Sequence, residues 1–417
     1  MYKTEFTKTS PPYTGLRGKI SPSIFNITHL EYLDLAWNDF QESDELTLQL
    51  TNLTKLIHLD LSNSRISGSI TTQFTNLSSL QYLDLSCESD PYVCLELPSM
   101  KWVRQLVNLK VLSLSHVDLS VATSSENNFA EDISHLADLR DLDLTSCNIS
   151  GSVFPIHKFH NFSRLSSLKM SRNHGLNSAV PQYLTNLTSL SILELSGCDL
   201  RGSFPQLSQL KELYMSWNYD LHVDLTKMFK HSWPKLQTFS ISQTKVTGSF
   251  RNFVSNAPRL VNLNAPYCYI QGSIPKSICK ISSLQKISLN HNKFTGSIPS
   301  CITDLENLNL FDVRSNSIKG KVSLISLVNK LNLTFLDLSS NRLTVVIDRH
   351  LVPSKFELET LNLRSCNLKG VIPPLICSLT HLKELDLSNN MLTGHIPSCI
   401  FEFKNANRFQ WANDGLS

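Results

Sequence analysis

The sequence of 417 residues is poor in aromatic side chains and in long apolar runs. Phe, Trp and Tyr together make up 8% of the residues. No stretch approaches the roughly eighteen apolar residues that suggest a membrane-spanning helix. The first residues, MYKTEFTKTSPPYTGLRGKI, contain no apolar core of a signal peptide. We therefore expect neither a signal peptide nor a transmembrane helix within this chain.

Motifs for catalysis and cofactor binding are also lacking. The sequence contains no GxSxG, HExxH or GxxxxGK[ST] motif and no protein-kinase signature. The net charge of +3 gives no reason to expect a nucleic acid partner. No CxxC pair or matching histidine pair supports zinc. We expect a protein that is not an enzyme, with no catalytic residues, no cofactor and no metal site.

What the sequence does contain is one stretch, Leu284 to Leu308, that reads as a complete coil of a leucine-rich solenoid. Ile287 and Leu289 alternate with polar residues, as a short strand with one buried face requires. Asn292 follows where the chain must bend, and a buried Asn can bond the free backbone groups of that bend. Gly296 then permits a tight change of direction. Apolar residues three apart predict a short helical return path.

The same strand pattern recurs along the chain and determines the fold class. We take the first apolar residue of each LxLxx strand as phase zero, and most steps between these residues are 24 to 26 residues long. That period is typical of leucine-rich repeats. We predict an α/β solenoid of about 15 repeats, a superhelix with a parallel concave sheet. The phase-zero residues are Leu33, Leu59, Leu83, Leu112, Leu142, Leu168, Leu193, Leu213, Phe239, Leu263, Ile287, Phe311, Leu336, Leu361 and Leu385.

A second regularity, which we call the ladder, lies five positions after phase zero. Its residues are small and mostly polar, which predicts that they lie inside the bend of each coil. Only Glu88 and Val117 break it. The ladder residues are Asn38, Ser64, Cys147, Asn173, Cys198, Asn218, Thr244, Cys268, Asn292, Asn316, Asn341, Cys366 and Asn390.

The repeats also define the domain organisation. We expect a disordered lead at residues 1–13 and one leucine-rich repeat domain at residues 14–400. Longer steps predict irregular loops at residues 88–104 and 120–131. Residues 401–417 should be a truncated tail that starts a return path without a further strand.

Seven N-x-S/T sequons indicate the secretory pathway. Five of them lie seven residues before phase zero, where the side chain should face water on the return path. The alternative is that these residues merely suit the turn. We expect glycans on Asn26, Asn52, Asn76, Asn148, Asn161, Asn186 and Asn332.

The ten cysteines fall into two groups. Cys147, Cys198, Cys268 and Cys366 occupy the ladder, where a thiol is a small buried group, and we expect them to stay free. The other six form close pairs. Neighbouring coils can bring the last two of these pairs within disulfide distance, whereas the first pair lies in one irregular loop. The expected disulfides are Cys87 with Cys94, Cys279 with Cys301, and Cys377 with Cys399.

Four segments share a further motif and carry a family resemblance. They read IQGSIP, FTGSIP, LKGVIP and LTGHIP, and begin at Ile270, Phe294, Leu368 and Leu392. This motif resembles the plant-type leucine-rich repeat. More narrowly, LRGKISPSIFNITHLEYLDLAWNDF near the start, and the Trp102 segment leading into LKVLSLSHVDLS, resemble ectodomains of plant receptor-like proteins of the disease-resistance type.

The resemblance implies a glycosylated protein on the extracellular face of the plasma membrane that works with a partner receptor kinase. Members of that family carry terminal caps and one membrane helix, which this sequence does not show. The resemblance therefore implies a partial ectodomain, whose membrane attachment depends on a C-terminal helix missing from this chain.

Candidate ligand-binding residues come from exposed strand positions, because the buried positions only build the scaffold. Five consecutive repeats carry aromatic, amide and basic side chains there. Neighbouring strands lie about 4.8 Å apart, so this run spans roughly 20 Å of one face. Such side chains suit a peptide or a glycan, although tolerated surface variation is the alternative. Trp37 is isolated, and we expect it to pack at the N-terminal end. The candidates are Tyr214, Trp217, Gln243, Asn264, Tyr267, Lys286, Asn290, His291 and Arg314.

Together these features predict extracellular recognition of a peptide, protein or glycan ligand by a receptor-like protein, in defence or development signalling. A soluble inhibitor of cell-wall hydrolases is the alternative. A structural scaffold is a third possibility, for which alanine at Tyr214, Trp217 and Tyr267 would leave binding unchanged.

Overall fold

A computed structural model describes residues 15–40, 49–70, 72–87, 94–124, 127–150, 161–250, 256–346, 357–372, 374–403, 405–412 and 415–416. The chain forms two compact units, Met1–Leu207 and Ser208–Ser417. The predicted disordered lead, residues 1–13, lies outside the described residues. The single domain at residues 14–400 stays a prediction.

Short parallel strands form the main sheet of the first unit. Each is centred on a predicted phase-zero residue, and these residues pair with one another in register, as Leu33 does with Leu59. The phase-zero positions of this unit are therefore confirmed. The strands are Tyr32–Asp34, His58–Asp60, Tyr82–Asp84, Val111–Ser113, Asp141–Asp143, Ser167–Lys169 and Ile192–Glu194.

The second unit repeats this arrangement. Phe239 pairs with Leu263, and Leu361 pairs with Leu385, as the repeat pattern predicts. The strands are Glu212–Tyr214, Thr238–Ser240, Asn262–Asn264, Lys286–Ser288, Leu310–Asp312, Phe335–Asp337, Thr360–Asn362, Glu384–Asp386 and Arg408–Gln410.

Alternation along each strand puts one set of side chains in the core. Leu289 is 1% exposed, and Leu338 and Leu387 are fully buried. The residues immediately before and after phase zero lie on the opposite face of the sheet. We call this second surface the sheet face. Each unit is thus a leucine-rich repeat solenoid, as predicted.

Return paths between the strands are mostly short 3₁₀ helices, each with an apolar side toward the core. Within the described residues they include Pro22–Asn26, Gln73–Asn76, Lys101–Gln105, Gln182–Asn186, Lys276–Lys280, Ser300–Asp304, Pro374–Ser378 and Ser398–Glu402. Short α-helices take the same place at Phe129–Ile133, Leu225–Met228 and Leu324–Lys330.

A second set of short strands follows the bend of many coils. Most of them pair in parallel with an equivalent strand of the next coil, as Gln271–Ser273 does with Lys293–Thr295. Gly296, directly after the second of these strands, has a φ of 75°, which glycine adopts without strain. The other strands are Arg17–Gly18, Asp39–Phe40, Gly68–Ser69, Leu95–Glu96, Arg201–Ser203, Asp220–Asp224, Lys245–Thr247, Lys319–Ser323, Arg342–Val346, Lys369–Gly370, Met391–Gly394 and Gly415–Leu416.

The two predicted irregular loops are only partly correct. Leu95–Glu96 is a strand that pairs with Gly68–Ser69, and Trp102 is 1% exposed on a 3₁₀ helix, so this part packs as a normal coil. In the second loop, Phe129 begins an α-helix and is 4% exposed. Apolar residues inside both segments explain the difference. Residues 88–93 and 125–126 lie outside the described residues.

The tail does contain a further strand, contrary to the sequence prediction. Arg408–Gln410 pairs in parallel with Glu384–Asp386, and Phe409 takes the phase-zero position beside Leu385. The ring of Phe409 contacts Phe403 at 5.8 Å between centroids and Trp411 at 6.4 Å. Aromatic side chains here replace the leucines that define the motif, so the pattern did not reveal the strand.

The cysteines separate as the sequence analysis expected. The structure joins Cys87 to Cys94, Cys279 to Cys301 and Cys377 to Cys399, with Cα–Cα distances of 5.9, 5.8 and 5.6 Å. The four ladder cysteines are buried free thiols. Burial raises the pKa of the Cys268 thiol to about 11, so it stays protonated and unreactive.

Candidate ligand-binding face

The bend that follows each main strand uses a left-handed backbone. Except at Cys87, the residue four positions after each predicted phase-zero residue has a positive φ angle, for example 62° at Trp217. This conformation favours Gly and Asn and is costly for bulky side chains. The bend therefore sets the conformation whichever side chain is present. The residues are Trp37, Asn63, His116, Ser146, Arg172, Gly197, Trp217, Gln243, Tyr267, His291, Ser315, Ser340, Ser365 and Asn389.

Four consecutive coils of the second unit carry large side chains at this position, namely Trp217, Gln243, Tyr267 and His291. The next three coils carry serine. Trp217 is 50% exposed and Tyr267 is 43% exposed, so burial offers them little stabilisation. Neither the bend nor the core accounts for these side chains.

A second row of large side chains lies two residues further along each coil. Tyr219 and Tyr269 are 56% and 69% exposed. The rings of Trp217 and Tyr219 meet at 88° with 6.5 Å between centroids, and Lys293 Nζ lies 5.1 Å from the centroid of the Tyr269 ring. Sequence reasoning missed this row because it lies beyond the strand, although Tyr and Lys recur there at the repeat period. We call the two rows together the aromatic strip: Trp217, Tyr219, Gln243, Lys245, Tyr267, Tyr269, His291 and Lys293.

Tyr267 and His291 form a parallel stack across the last two coils of the strip. Their ring centroids are 4.1 Å apart and the planes differ by 8°. Burial lowers the pKa of His291, and the nearby Arg314 guanidinium lowers it further. The imidazole is therefore neutral over a wider pH range and can both donate and accept a hydrogen bond.

The predicted strand residues lie beside the strip on the sheet face. The Tyr214 hydroxyl donates to Glu212 Oε2 at 2.8 Å, and Asn264 Nδ2 donates to Ser240 Oγ at 2.9 Å. Lys286 is exposed. These side chains are thus half-buried or exposed, as the prediction of a surface face requires.

Asn290 differs from the prediction because it is 5% exposed rather than a surface side chain. Its Nδ2 donates to Ser288 Oγ at 3.0 Å and to Asp312 Oδ2 at 2.7 Å, so the neighbouring strands cover it. Its Oδ1 is buried without a hydrogen-bond partner. Asn290 is therefore part of a layer of buried polar side chains at the sheet face.

Arg314 lies above two buried carboxylates in that layer. Its Nη1 is 3.5 Å from Asp337 Oδ2, and its Nε is 4.0 Å from Asp312 Oδ2. Burial raises the pKa of Asp312 to about 6, the Asp337 carboxylate adds to the rise, and Arg314 opposes it. Burial also raises the pKa of Asp337. The Arg314 side chain is therefore held by the structure and is less available to a ligand than the sequence suggested.

Trp37 was expected to pack at the N-terminal end, and it does not. It is 50% exposed because it occupies the left-handed position of its own coil, where the side chain points away from the core.

The sequon asparagines are all exposed. Asn161 Nδ2 donates to Ser134 O at 3.3 Å, and the seven are Asn26, Asn52, Asn76, Asn148, Asn161, Asn186 and Asn332. Among the described residues, no group of three or more His, Cys, Asp or Glu side chains is placed to hold a metal ion. Within the same residues, no helix has the length and apolar character needed to cross a bilayer.

Comparison with known proteins agrees with the fold. The Leucine Rich Repeat family matches residues 55–77, 283–305, 332–352, 357–379 and 381–403, and a related repeat family matches residues 26–42. The TDR receptor structure has a TM-score of 0.67 at 21% identity, covering 96% of this chain and 79% of that one. The Arabidopsis receptor kinase HAESA, in complex with the peptide hormone IDA and the co-receptor SERK1, has a TM-score of 0.59 at 25% identity, covering 97% and 69%.

The curated relatives include several plant receptor-like proteins. Receptor-like protein EIX1 of Solanum lycopersicum is 29% identical over 218 residues, 52% of this chain and 20% of that protein. Receptor-like protein 39 of Arabidopsis thaliana is 30% identical over 391 residues, 92% of this chain and 39% of that protein. The chain thus spans well under half the length of these relatives. With the repeat pattern and the parallel sheet, these similarities support a plant leucine-rich repeat receptor-like protein.

Proposed function

We propose that this chain is part of the extracellular ligand-recognition region of a receptor-like protein, and that the aromatic strip of the second unit binds a peptide. The observation that carries the proposal is the row Trp217, Gln243, Tyr267 and His291. Trp217 and Tyr267 stay exposed, and Gln243 and His291 stay half-buried, at backbone positions that favour small residues. Contact with a ligand explains why large side chains occupy these positions.

The chemistry of the strip suits an extended peptide. Aromatic rings offer contact area with few rotatable bonds, and the Gln243 amide and the neutral His291 imidazole can bond a peptide backbone. Four coils about 4.8 Å apart span roughly 15 Å, which is the length of about four or five extended residues. HAESA, a structural relative at 25% identity, is in complex with a peptide hormone.

The predicted strand residues extend this surface. Lys286 is exposed and Tyr214 and Asn264 are half-buried beside the strip. We propose that Lys286 and Asn264 contact the ligand directly, whereas Asn290 and Arg314 shape the floor through the buried polar layer. A glycan ligand would use the same stacking surface and is an outcome of the test below.

For the longer protein we propose signalling in defence or development with a partner receptor kinase at the extracellular face of the plasma membrane. The HAESA complex contains a co-receptor, and the curated relatives are receptor-like proteins. We also propose that the seven exposed sequons carry glycans, which fits that location. Leucine-rich repeat receptor ectodomains are generally non-catalytic, and the proposed role is binding alone.

Selection from a displayed library of random 12-residue peptides tests the proposal on the full chain. Enriched peptides are synthesised and titrated against the chain and against the double variant Trp217→Ala with Tyr267→Ala. We expect at least a tenfold loss of affinity, because two aromatic contacts contribute about 1 kcal/mol or more each. Phe401→Ala is the matched control, since this ring is 72% exposed on a return path. Equal affinity of the double variant and the wild type would refute the peptide site, and enrichment only from a glycan array would replace the peptide with a glycan.

A further inference from the structure

A three-ring column lies on the sheet face of the first unit, in the other half of the chain from the aromatic strip. Tyr32, His58 and Tyr82 occupy the same position on three neighbouring strands. The ring centroids are 4.0 Å apart between Tyr32 and His58 and 4.1 Å apart between His58 and Tyr82, and the planes differ by 7° and 13°. Tyr32 is 60% exposed. Among the described residues, no aromatic ring stacks on the face of Tyr32 that points away from His58.

A row of carboxylates runs parallel to this column. Asp34, Asp60 and Asp84 follow the rings by two residues on the same strands, so they lie on the same face about 4.8 Å apart. One oxygen of each accepts a backbone N–H of its own bend, from Ala36, Ser62 and Ser86. Among the described residues, no hydrogen bond reaches the other oxygen of Asp34 or of Asp60.

The charges of this row are not balanced by neighbouring cations. In the part of the chain that the structure describes, none of the three carboxylates forms an ion pair with Lys or Arg. The nearby Arg65 and Arg17 pair with Asp39 instead. Burial and then the carboxylates of Asp84 and Asp60 raise the pKa of Tyr82, which shows the negative potential beside the column.

A surface that offers an aromatic ring face beside carboxylates is most complementary to an arginine side chain. The guanidinium of arginine is planar, stacks on aromatic rings and pairs with carboxylates through two N–H groups. Lysine can satisfy the charge but cannot stack as a plane. We propose that this surface binds arginine side chains of a basic peptide segment. One guanidinium stacks on the outer face of Tyr32 at the end of the column, and others pair with the carboxylates of Asp34, Asp60 and Asp84.

Calorimetric titration of the full chain with a six-arginine peptide and a six-lysine peptide tests this proposal. We expect the arginine peptide to bind roughly tenfold more tightly, because a guanidinium can stack on the Tyr32 ring as a plane and an ammonium group cannot. Tyr32→Ala should remove that difference, and Tyr32→Phe should retain it. Asp34→Asn with Asp60→Asn keeps an oxygen for each backbone N–H and should weaken both peptides by roughly tenfold or more.

Equal affinity for the two peptides, or full arginine selectivity in Tyr32→Ala, would overturn the proposal. The Trp217→Ala, Tyr267→Ala double variant should bind the six-arginine peptide like the wild type. A loss there would place the basic peptide on the aromatic strip and also contradict this inference. The two sites are therefore tested separately, and failure of one leaves the other unaffected.

Discussion

Asn292 binds Cys268 across two neighbouring coils: the backbone N–H of Cys268 donates to Asn292 Oδ1 at 3.1 Å. The same oxygen accepts from Ile270 N at 3.0 Å. The Nδ2 of Asn292 donates to the carbonyl oxygens of Ala265, Leu289 and Asn290. One side chain thus satisfies the buried bends of two coils, as the ladder predicted.

Replacement of Asn292 should therefore be among the most destabilising single changes in the second unit. Asn292→Ala leaves two buried N–H donors and three carbonyl acceptors without this partner. We expect the free energy of unfolding in urea to fall by about 3 to 5 kcal/mol. Asn307→Ala is the control, because its exposed amide makes one bond, to Ser282 O at 3.0 Å. A loss below 1 kcal/mol for Asn292→Ala would show that water or neighbouring groups replace the amide.

Alkylation should modify a different number of cysteines in the native protein, in the unfolded protein, and in the unfolded and reduced protein. Four thiols are buried and six cysteines are in disulfides, so the native protein should react with none. Mass spectrometry should count four modified cysteines after unfolding without reductant. It should count ten after unfolding with reductant. More than four modifications without reductant would mean that at least one of the bridges does not form.

Because the bend has a left-handed backbone, we expect large side chains of the aromatic strip at this position to lower the free energy of unfolding. At Gln243, with a φ of 53°, asparagine is better tolerated than glutamine because its short side chain can bond the local backbone. We expect Gln243→Asn to raise the free energy of unfolding by up to about 1 kcal/mol while it weakens ligand binding. Lys286→Asn is the control at an exposed strand position, where asparagine should be neutral or destabilising. A clear loss of stability in Gln243→Asn would show that the glutamine has a structural role.

The buried carboxylate Asp312 should make stability depend on pH. Its pKa is raised to about 6 in the folded chain and is about 3.9 when unfolded, so the folded state binds more protons between these values. The contribution of this carboxyl group to the free energy of unfolding is largest below about pH 4 and is lost as the pH rises through about 6. Asp312→Asn removes the effect, so the variant should gain on the order of 2 kcal/mol relative to the wild type between pH 4 and pH 7.

Urea titrations at several pH values measure this difference. Asp304→Asn is the control, since its carboxylate is 64% exposed and lies 3.9 Å from Lys330 Nζ. Parallel stability profiles for Asp312→Asn and the wild type would contradict the assignment.

Regular leucines made most of the fold predictable, because one spacing fixes which side chains are buried in every coil. The strand at Phe409 was missed because aromatic residues replace the leucines there. Trp102 was assigned to a loop because the longer repeat step hid its buried position. The sequence could locate the exposed face around Asn264 and Lys286, since exposed strand positions follow from the alternation.

Other parts of the site depend on geometry that spacing does not encode. The left-handed backbone at Trp217 is a property of the bend, and burial of Asn290 depends on the neighbouring Asp312. The stack of Tyr32 on His58 joins residues of two coils at the same phase. A comparison of equivalent positions between coils, rather than along one strand, is the signal that could have found it.

The most direct test of the account is the position at which a selected peptide cross-links to the chain. A peptide from the library carries a photoreactive benzophenone, and mass spectrometry maps the attached residues after irradiation. We expect attachment within residues 212–221, 238–247, 262–271 and 286–295, which contain the aromatic strip and its strands. Attachment confined to the return paths at residues 276–284 and 300–308 would contradict it.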